Sequence, residues 1–225
     1  MKHKQLLFSV LVATFLFACG QTDKKRSTEK AIDKNSQETE QPNSKDEPEV
    51  KAEDYAKQLE QFIPKGYSIL DTSRGDLNLD EFADMILILK KDNEQETSAM
   101  ADDPEKRPLF ILIGQSDGIL KKAAKNENSV YCVNCGGVYG DPYEGIVIKN
   151  GYFSIEHYGG SNWKWTRTVT YHYSKKDQQW YLHKDGGEQF EVSDPTSSKE
   201  TVRTTKDFGK VNFVDFDIYT GEVNK

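Results

Sequence analysis

The chain has 225 residues, of which 36% are hydrophobic and 30% charged, and it carries a formal net charge of −7 at neutral pH. No cluster of basic residues with interleaved aromatics occurs, which argues against a nucleic acid as partner. By length, residues 55–225 suit a single globular domain, and no internal repeat of fixed period is present.

The first 18 residues follow the order of a bacterial export signal. A basic start at residues 2–4 precedes an almost unbroken apolar run over residues 6–17. This run is shorter than the roughly 20 apolar residues of a membrane-spanning helix. It ends at Cys19, which is flanked by small residues, and this arrangement resembles a bacterial lipobox. The resemblance implies cleavage before Cys19 and diacylation of its thiol, since one acyl chain alone anchors only marginally.

This start predicts where the protein resides. Gly20 rather than Asp follows Cys19. By the sorting rule of some Gram-negative lipoproteins, this favours the outer membrane. An ordinary secretory signal with a chance cysteine is the alternative. The sequence therefore predicts a lipid-anchored protein of the bacterial cell envelope.

Residues 19–54 differ sharply from the rest in composition. No aromatic residue occurs between Phe17 and Tyr55, and Ile32 and Val50 are the only large aliphatic residues there. Such a segment buries too little apolar surface to offset the entropy lost on ordering. We expect a disordered, lipidated tether that holds the domain clear of the lipid surface.

The first element of the domain is a predicted helix over residues 51–63. Pro64 and Gly66 follow it and favour its end there. Its large apolar residues fall on one stripe, which is typical of a helix packed on a core. They are Tyr55, Leu59, Phe62 and Ile63.

Strand patterns dominate after the helix. A short strand is predicted over residues 67–70, and the apolar runs at residues 85–89 and 109–113 predict buried strands. Between those two runs, polar residues 90–108 predict a mobile loop. A turn at residues 115–118 leads into a further hairpin arm.

Alternation and turn chemistry predict the later strands. Residues 163–174 alternate between large, mainly aromatic side chains and polar ones, and a return strand begins at Trp180. Asn150-Gly151 predicts a hairpin within residues 145–158. A last strand, or two, is predicted over residues 211–219. The fold class is therefore mainly β (α+β), an antiparallel sheet domain with one N-terminal helix, and not a doubly wound parallel sheet.

An acidic loop precedes the first apolar run. Oxygen ligands stand at loop positions one, three, five and nine, and the carbonyl of Phe82 stands at position seven. Calcium takes about six to eight hard oxygens, which alternating acidic side chains supply. The loop resembles the calcium loops of FG-GAP and VCBS-type repeats, in which such a run leads into an apolar strand. The side-chain ligands that this resemblance implies are Asp76, Asn78, Asp80 and Asp84.

The loop departs from that family at several points. Glu81 stands where the family has Gly, Leu87 stands where an EF-hand has its twelfth ligand, and only one copy of the loop is visible. The alternative is an Asx-rich turn that needs no metal. If calcium binds, we expect its role to be structural.

Two cysteines stand three residues apart, at Cys132 and Cys135, before Gly136-Gly137. Outside the cytoplasm such a pair normally oxidises, so we predict a small structural disulfide that closes this turn. A thioredoxin-like redox site and a zinc site are the alternatives. The redox site needs a helix after the first cysteine, and no helical pattern follows. Zinc needs two further ligands, from His157, His172 or His183, and no local spacing supports this.

The segment 154–165 is rich in glycine, aromatic and polar residues. It is a candidate groove that stacks on sugars or peptides, although the strand alternation alone also accounts for its tryptophans as core residues. The candidate groove residues are His157, Tyr158, Trp163 and Trp165.

The sequence contains no H-E-x-x-H or P-loop pattern, and its one G-x-S-x-G match, at residues 114–118, falls in the predicted turn before a hairpin arm and not before the helix that this motif requires. We therefore expect a non-catalytic binding or assembly module, stabilised by calcium and anchored to the membrane by lipid. Its expected partners are the membrane and an envelope glycan or protein. The alternative is an extracytoplasmic enzyme, either a hydrolase or a CxxC thiol oxidoreductase.

Overall fold

Two antiparallel sheets make up most of the domain, in a computed structural model that describes residues 52–98 and 103–220. The fold is mainly β, as the sequence predicts. The first sheet has the strand order β1-β2-β3-β4. Its elements, with the two helices of this half, are α1 (Ala52–Glu60), β1 (Tyr67–Gly75), β2 (Asp84–Lys91), α2 (Glu94–Thr97), β3 (Leu109–Gly114) and β4 (Leu120–Asn126).

The second sheet is a five-stranded meander in the order β5-β6-β7-β8-β9. Every neighbouring pair in both sheets is antiparallel. Its elements are β5 (Tyr143–Lys149), β6 (Tyr152–Gly160), β7 (Trp163–Ser174), β8 (Gln179–Glu191), β9 (Asp194–Thr204) and α3 (Thr205–Phe208). Among the described residues, no helix is both long enough and apolar enough to cross a bilayer.

Strand β2 is buried on both of its faces. Ile86 and Ile88 point into a core shared with the second sheet. Leu87 and Leu89 point to the opposite face, where the helix α1 packs. Because side chains alternate along a strand, only a continuous apolar run satisfies both layers. This arrangement explains the unbroken run at residues 85–89.

Helix α1 covers the outer face of the first sheet. Leu59 is buried there, and Tyr55, Phe62 and Ile63 pack against the same cluster, so the predicted apolar cluster is confirmed, although the helix ends at Glu60 and not at residue 63. The side chain of Gln58 fixes the helix to the sheet. Its Nε2 donates to the carbonyl of Gly118 at 3.1 Å, and its Oε1 accepts from the Leu120 amide at 2.8 Å.

The predicted hairpin at Asn150-Gly151 is confirmed. Both residues have positive φ, 50° and 74°, which a tight two-residue turn between twisted strands requires. The turn joins β5 to β6, whose register runs from Lys149 opposite Tyr152.

The predicted strand over residues 211–219 is wrong. This segment makes one isolated bridge, between Asn212 and Tyr181, and then forms a single 3-10 turn at Phe213–Asp215. Its apolar residues fill the core between the sheets without joining a ladder. The Asn126 side chain donates to the carbonyls of Phe213 and Phe216, which holds the turn in place.

Two further features differ from the sequence-based expectation. Strand β9 pairs with β8, yet most of its side chains are exposed. Its sequence therefore lacks the alternation of apolar and polar residues that would predict a strand. Within the predicted loop 90–108, the described part contains α2 and a fully buried Arg107.

We expect the two-sided burial of β2 to dominate stability. Leu87→Ala removes a fully buried side chain beneath α1 and should lower the free energy of unfolding by about 2–5 kcal/mol. Val202→Ala is the matched control, because Val202 is 45% exposed, and it should change the free energy by less than about 1 kcal/mol. Urea denaturation measures both. Equal losses in the two variants would contradict the layered packing.

Candidate functional site

An open groove of about 520 Å³ lies on the second sheet, beside the segment that links β4 to β5. Strand β7 carries Val169 and Tyr171 into the core, and the same face continues to Arg167 and Trp165 in the groove. The lining residues are Tyr131, Trp165, Thr166, Arg167, Asp185, Gly186, Gly187, Glu188, Gln189, Thr201 and Arg203.

Glycines give the groove its shape. A Cβ on Gly159 would lie 2.5 Å from the Trp165 ring, so only glycine lets the indole pack onto β6. A Cβ on Gly187 would lie 2.0 Å from the Thr166 carbonyl oxygen. There the ladder between β7 and β8 is interrupted, and the Glu188 amide donates to the Thr166 hydroxyl at 3.1 Å instead.

Two arginines and one aspartate form the charged floor of the groove. Arg167 donates from Nε and Nη2 to the two carboxylate oxygens of Asp185, at 2.9 and 3.0 Å. Arg203 donates from Nη2 to Asp185 Oδ2 at 2.5 Å. The cluster therefore carries one net positive charge.

The environment keeps Asp185 ionised. Burial opposes the charge, but the hydrogen bonds and charges of Arg167 and Arg203 outweigh it and lower the pKa of this carboxyl. Arg167 is also fixed from the other side. Its Nη1 donates to the Tyr131 hydroxyl at 2.6 Å and to the Ile218 carbonyl at 2.9 Å.

The structure separates the four groove residues proposed from sequence. Trp165 lines the groove. His157 is buried behind it, with its ring 5.0 Å from that of Tyr131. Tyr158 packs edge-on against Tyr139 at 4.8 Å, and Trp163 is 56% exposed at the end of β7. Of the proposed set, Trp165 alone is among the described lining residues.

Sequence analysis missed the charged floor. Arg167, Asp185 and Arg203 come from three strands, and pairing of those strands brings them together. One signal was present, since Arg167 occupies an inward position within the apolar face of β7. A charge at such a position needs a partner, which the sequence does not identify.

The acidic loop is closed by its own amides. Both oxygens of Asp80 accept hydrogen bonds within the loop, from the Phe82 amide at 3.0 Å and from the Asn78 side chain at 2.5 Å. Asp76 accepts from the Leu79 amide at 2.6 Å, and the Asn78 oxygen accepts from the Asp80 amide at 3.0 Å. This is the network of an Asx-rich turn.

Asp84 joins this loop to the sheet. Its Oδ2 accepts from the amides of Leu77 at 2.7 Å and Asn78 at 3.2 Å, and its Oδ1 accepts from Gly114 at 2.9 Å. Burial, the largest influence, raises the pKa of Asp84 to about 6, against the lowering effect of the Leu77 and Gly114 amides. The buried carboxylate thus closes the loop on β3.

These hydrogen bonds involve several of the oxygens that the sequence predicts as calcium ligands. Within residues 52–98 and 103–220, no three His, Cys, Asp or Glu side chains are arranged to hold a metal ion. A calcium ion bound by Asn78, Asp80 and Asp84 would share their side-chain oxygens with the N–H groups that donate to them. Calcium at this loop stays a prediction.

The cysteine pair lies close to the groove. Cys132 and Cys135 lie close together, as the predicted disulfide requires. Cys132 follows Tyr131 in the chain, so a disulfide in this turn would restrict the position of Tyr131, which lines the groove. Directly after the pair, the described chain forms a single 3-10 turn, Gly137–Tyr139, and then enters β5 without a longer helix.

A buried arginine fixes the same segment. Arg107 donates two hydrogen bonds to Glu94, at 3.0 and 2.6 Å, and two to Asp141, at 2.8 and 2.7 Å. A fifth reaches the Tyr131 carbonyl at 3.1 Å. Burial opposes the charge of Arg107, but its bonds to Asp141 and Glu94 raise its pKa. Glu94, Asp141 and Tyr131 thereby take fixed positions around one cation.

The chain matches no family model, no curated protein and no solved structure at a significant level. The likeness of residues 76–84 to repeat-type calcium loops therefore stays a resemblance of one loop. The predicted export signal, Cys19 and residues 19–51 of the predicted tether lie outside the described residues, whereas residues 52–54, which the sequence predicts to be disordered, belong to α1. The functional argument rests on the groove itself.

The pKa of Asp84 provides one test. Because the folded-state pKa is raised from 3.8 to about 6, the stability due to this group is present below about pH 3.8 and lost as pH rises through 6. Carbon-13 NMR should show the Asp84 carboxyl titrating near the raised value. Calcium bound at the loop would lower this midpoint, whereas magnesium serves as the control. A midpoint unchanged by calcium would count against the calcium prediction.

His157 should make the protein sensitive to acid. Burial, and then the charge of Arg167, lowers its pKa from 6.5 to about 3. Its contribution to stability is therefore full above pH 6.5 and falls, by up to about 1.4 kcal/mol per pH unit, as pH decreases toward 3. Urea titrations at several pH values should show a shallower acid loss for His157→Gln. The exposed His183→Gln is the control, and identical slopes for wild type and His157→Gln would refute this account.

Proposed function

We propose that the chain is a lipid-anchored protein of the bacterial cell envelope whose groove binds a carboxylate-bearing glycan without transforming it. The observation that carries this proposal is the meeting of Trp165 and Tyr131 with the Arg167–Asp185–Arg203 cluster in one open groove. Its volume of about 520 Å³ falls within the range of small-molecule sites. Lipid anchoring at Cys19 belongs to the same proposal.

The aromatic residues favour a sugar ring. Trp165 is braced by Gly159 on β6, and Tyr131 is held by Arg167, so both rings present fixed apolar surface. Thr166, Gln189 and Thr201 add polar groups to the same lining. An apolar wall with a few convergent polar groups suits a ligand that has both kinds of surface.

The charge favours an acidic ligand. Asp185 neutralises one of the two arginines on the floor, which leaves one positive charge on the floor itself, with the Glu188 carboxylate elsewhere in the lining. The Arg203 side chain is 36% exposed, so this charge is accessible from the groove. Guanidinium groups bind carboxylates more strongly than neutral polar groups do.

The hydrogen bonds that the groove carboxylates accept favour ligand binding over catalysis. A general acid or base requires a pKa near the working pH and a free path to the reacting atom. The pKa of Asp185 is lowered, and both of its oxygens accept from arginines. Glu188, at the rim, accepts from the Ser198 hydroxyl.

In this proposal the other predicted features have a structural role. The Cys132–Cys135 disulfide and the Arg107 contacts hold Tyr131 at the groove. Calcium, if it binds at residues 76–84, has a structural role away from the groove.

Calorimetric titration with a short oligogalacturonate tests the proposal on the full chain in detergent, because the heat of binding does not depend on the tryptophan that one variant removes. Maltotriose, which has no carboxylate, is the matched ligand. We expect binding of the acidic sugar, loss of about tenfold or more in affinity for Arg203→Gln, and a similar loss for Trp165→Leu.

Arg74→Gln is the control variant, because it removes the same charge at an exposed residue of β1. It should bind as wild type does. No binding of the acidic sugar, equal binding of maltotriose, or full affinity in both groove variants would overturn the proposal.

A further inference from the structure

Two histidines lie side by side on the outer face of the second sheet, on consecutive strands of one hairpin, and neither lines the groove. His172 is on β7 and His183 on β8, and their ring centroids are 5.8 Å apart with the planes at 54°. The ring of Tyr152, on β6, lies 5.5 Å from one and 5.1 Å from the other. Three adjacent strands thus contribute to one small cluster.

A β-bulge brings His183 into this cluster. Leu182 pairs with Tyr171 and Lys184 pairs with Thr170, which leaves His183 as the extra residue on its strand. Such bulges redirect a side chain out of the regular alternation. The extra residue here directs an exposed imidazole toward His172.

Neither imidazole is committed to another protein group. The described residues provide no hydrogen bond to either ring, and His172 Nδ1 is buried without a partner. A ligand would therefore bind Nε2 of His172, because Nδ1 is buried. Tyr152, which packs against both rings, limits the rotamers that they can adopt.

The protonation state suits metal ligation. Partial burial, and then the charge of His183, lowers the pKa of His172. A metal ligand must be the neutral imidazole, and a lowered pKa increases the share of that form.

We infer that His172 and His183 form a two-histidine binding site for a divalent transition-metal ion, with Zn²⁺ as its representative. Imidazole nitrogen is a preferred ligand of Zn²⁺, Cu²⁺ and Ni²⁺, and a poor one for calcium. No third His, Cys, Asp or Glu joins them among the described residues, so water completes the coordination. The site is independent of the proposed glycan groove and of the acidic loop.

Calorimetric titration with ZnCl₂ tests this inference on the full chain, purified without a histidine tag. His3 lies in the predicted export signal, so a His3→Gln background removes its contribution from any chain that keeps the signal. We expect one Zn²⁺ per chain in that background, with an affinity that an excess of CaCl₂ leaves unchanged. Since a second ligand on the same scaffold acts as a chelate, His172→Gln or His183→Gln should each weaken binding about a hundredfold.

NMR of the imidazole protons gives a second measurement that does not depend on the variants folding. Zn²⁺ should shift the signals of His172 and His183 and leave those of the buried His157 unchanged. Absence of Zn²⁺ binding in the His3→Gln chain, or binding that survives in the His172→Gln/His183→Gln double variant, would overturn the inference. So would equal shifts at His157.

Discussion

The burial of β2 on both faces is the constraint on which the rest of the structure depends. Ile86 and Ile88 commit one face to the core between the sheets, and Leu87 and Leu89 commit the other to α1. A one-residue slip of this strand would exchange the two sets and leave neither layer correctly packed. The register of β1 and β3 against β2, and the docking of the helix, follow from this single strand.

The same core explains why a groove exists. Along β7, Val169 and Tyr171 are buried in the core between the sheets. Arg167 and Trp165 lie on the same face of the strand, but they line the groove. A buried charge is tolerated only when it is paired and hydrogen-bonded, and Asp185 with the Tyr131 hydroxyl meets that need for Arg167. The charged floor therefore satisfies the buried Arg167, and it also places charged groups in the groove.

Arginines organise both walls of this region. Arg107 is fully buried, and it joins Glu94 and Asp141 to the carbonyl of Tyr131, whose hydroxyl receives Arg167. Buried ion pairs add little net stability, but removal of one partner is costly, so such clusters fix geometry more than they add free energy. Tyr131 is held at its carbonyl and at its hydroxyl, which pre-organises a wall of the groove.

Local patterns in the sequence determined the class of fold, because burial of β2, the stripe on α1 and the Asn150-Gly151 turn depend on neighbours along the chain. Tertiary structure alone decided the partner of Arg167. It also decided the 3-10 turn at Phe213–Asp215, where apolar alternation fits a strand equally well. Pairing between distant strands leaves no trace in local periodicity, so β9 and the charged groove emerge only when the sheet is assembled.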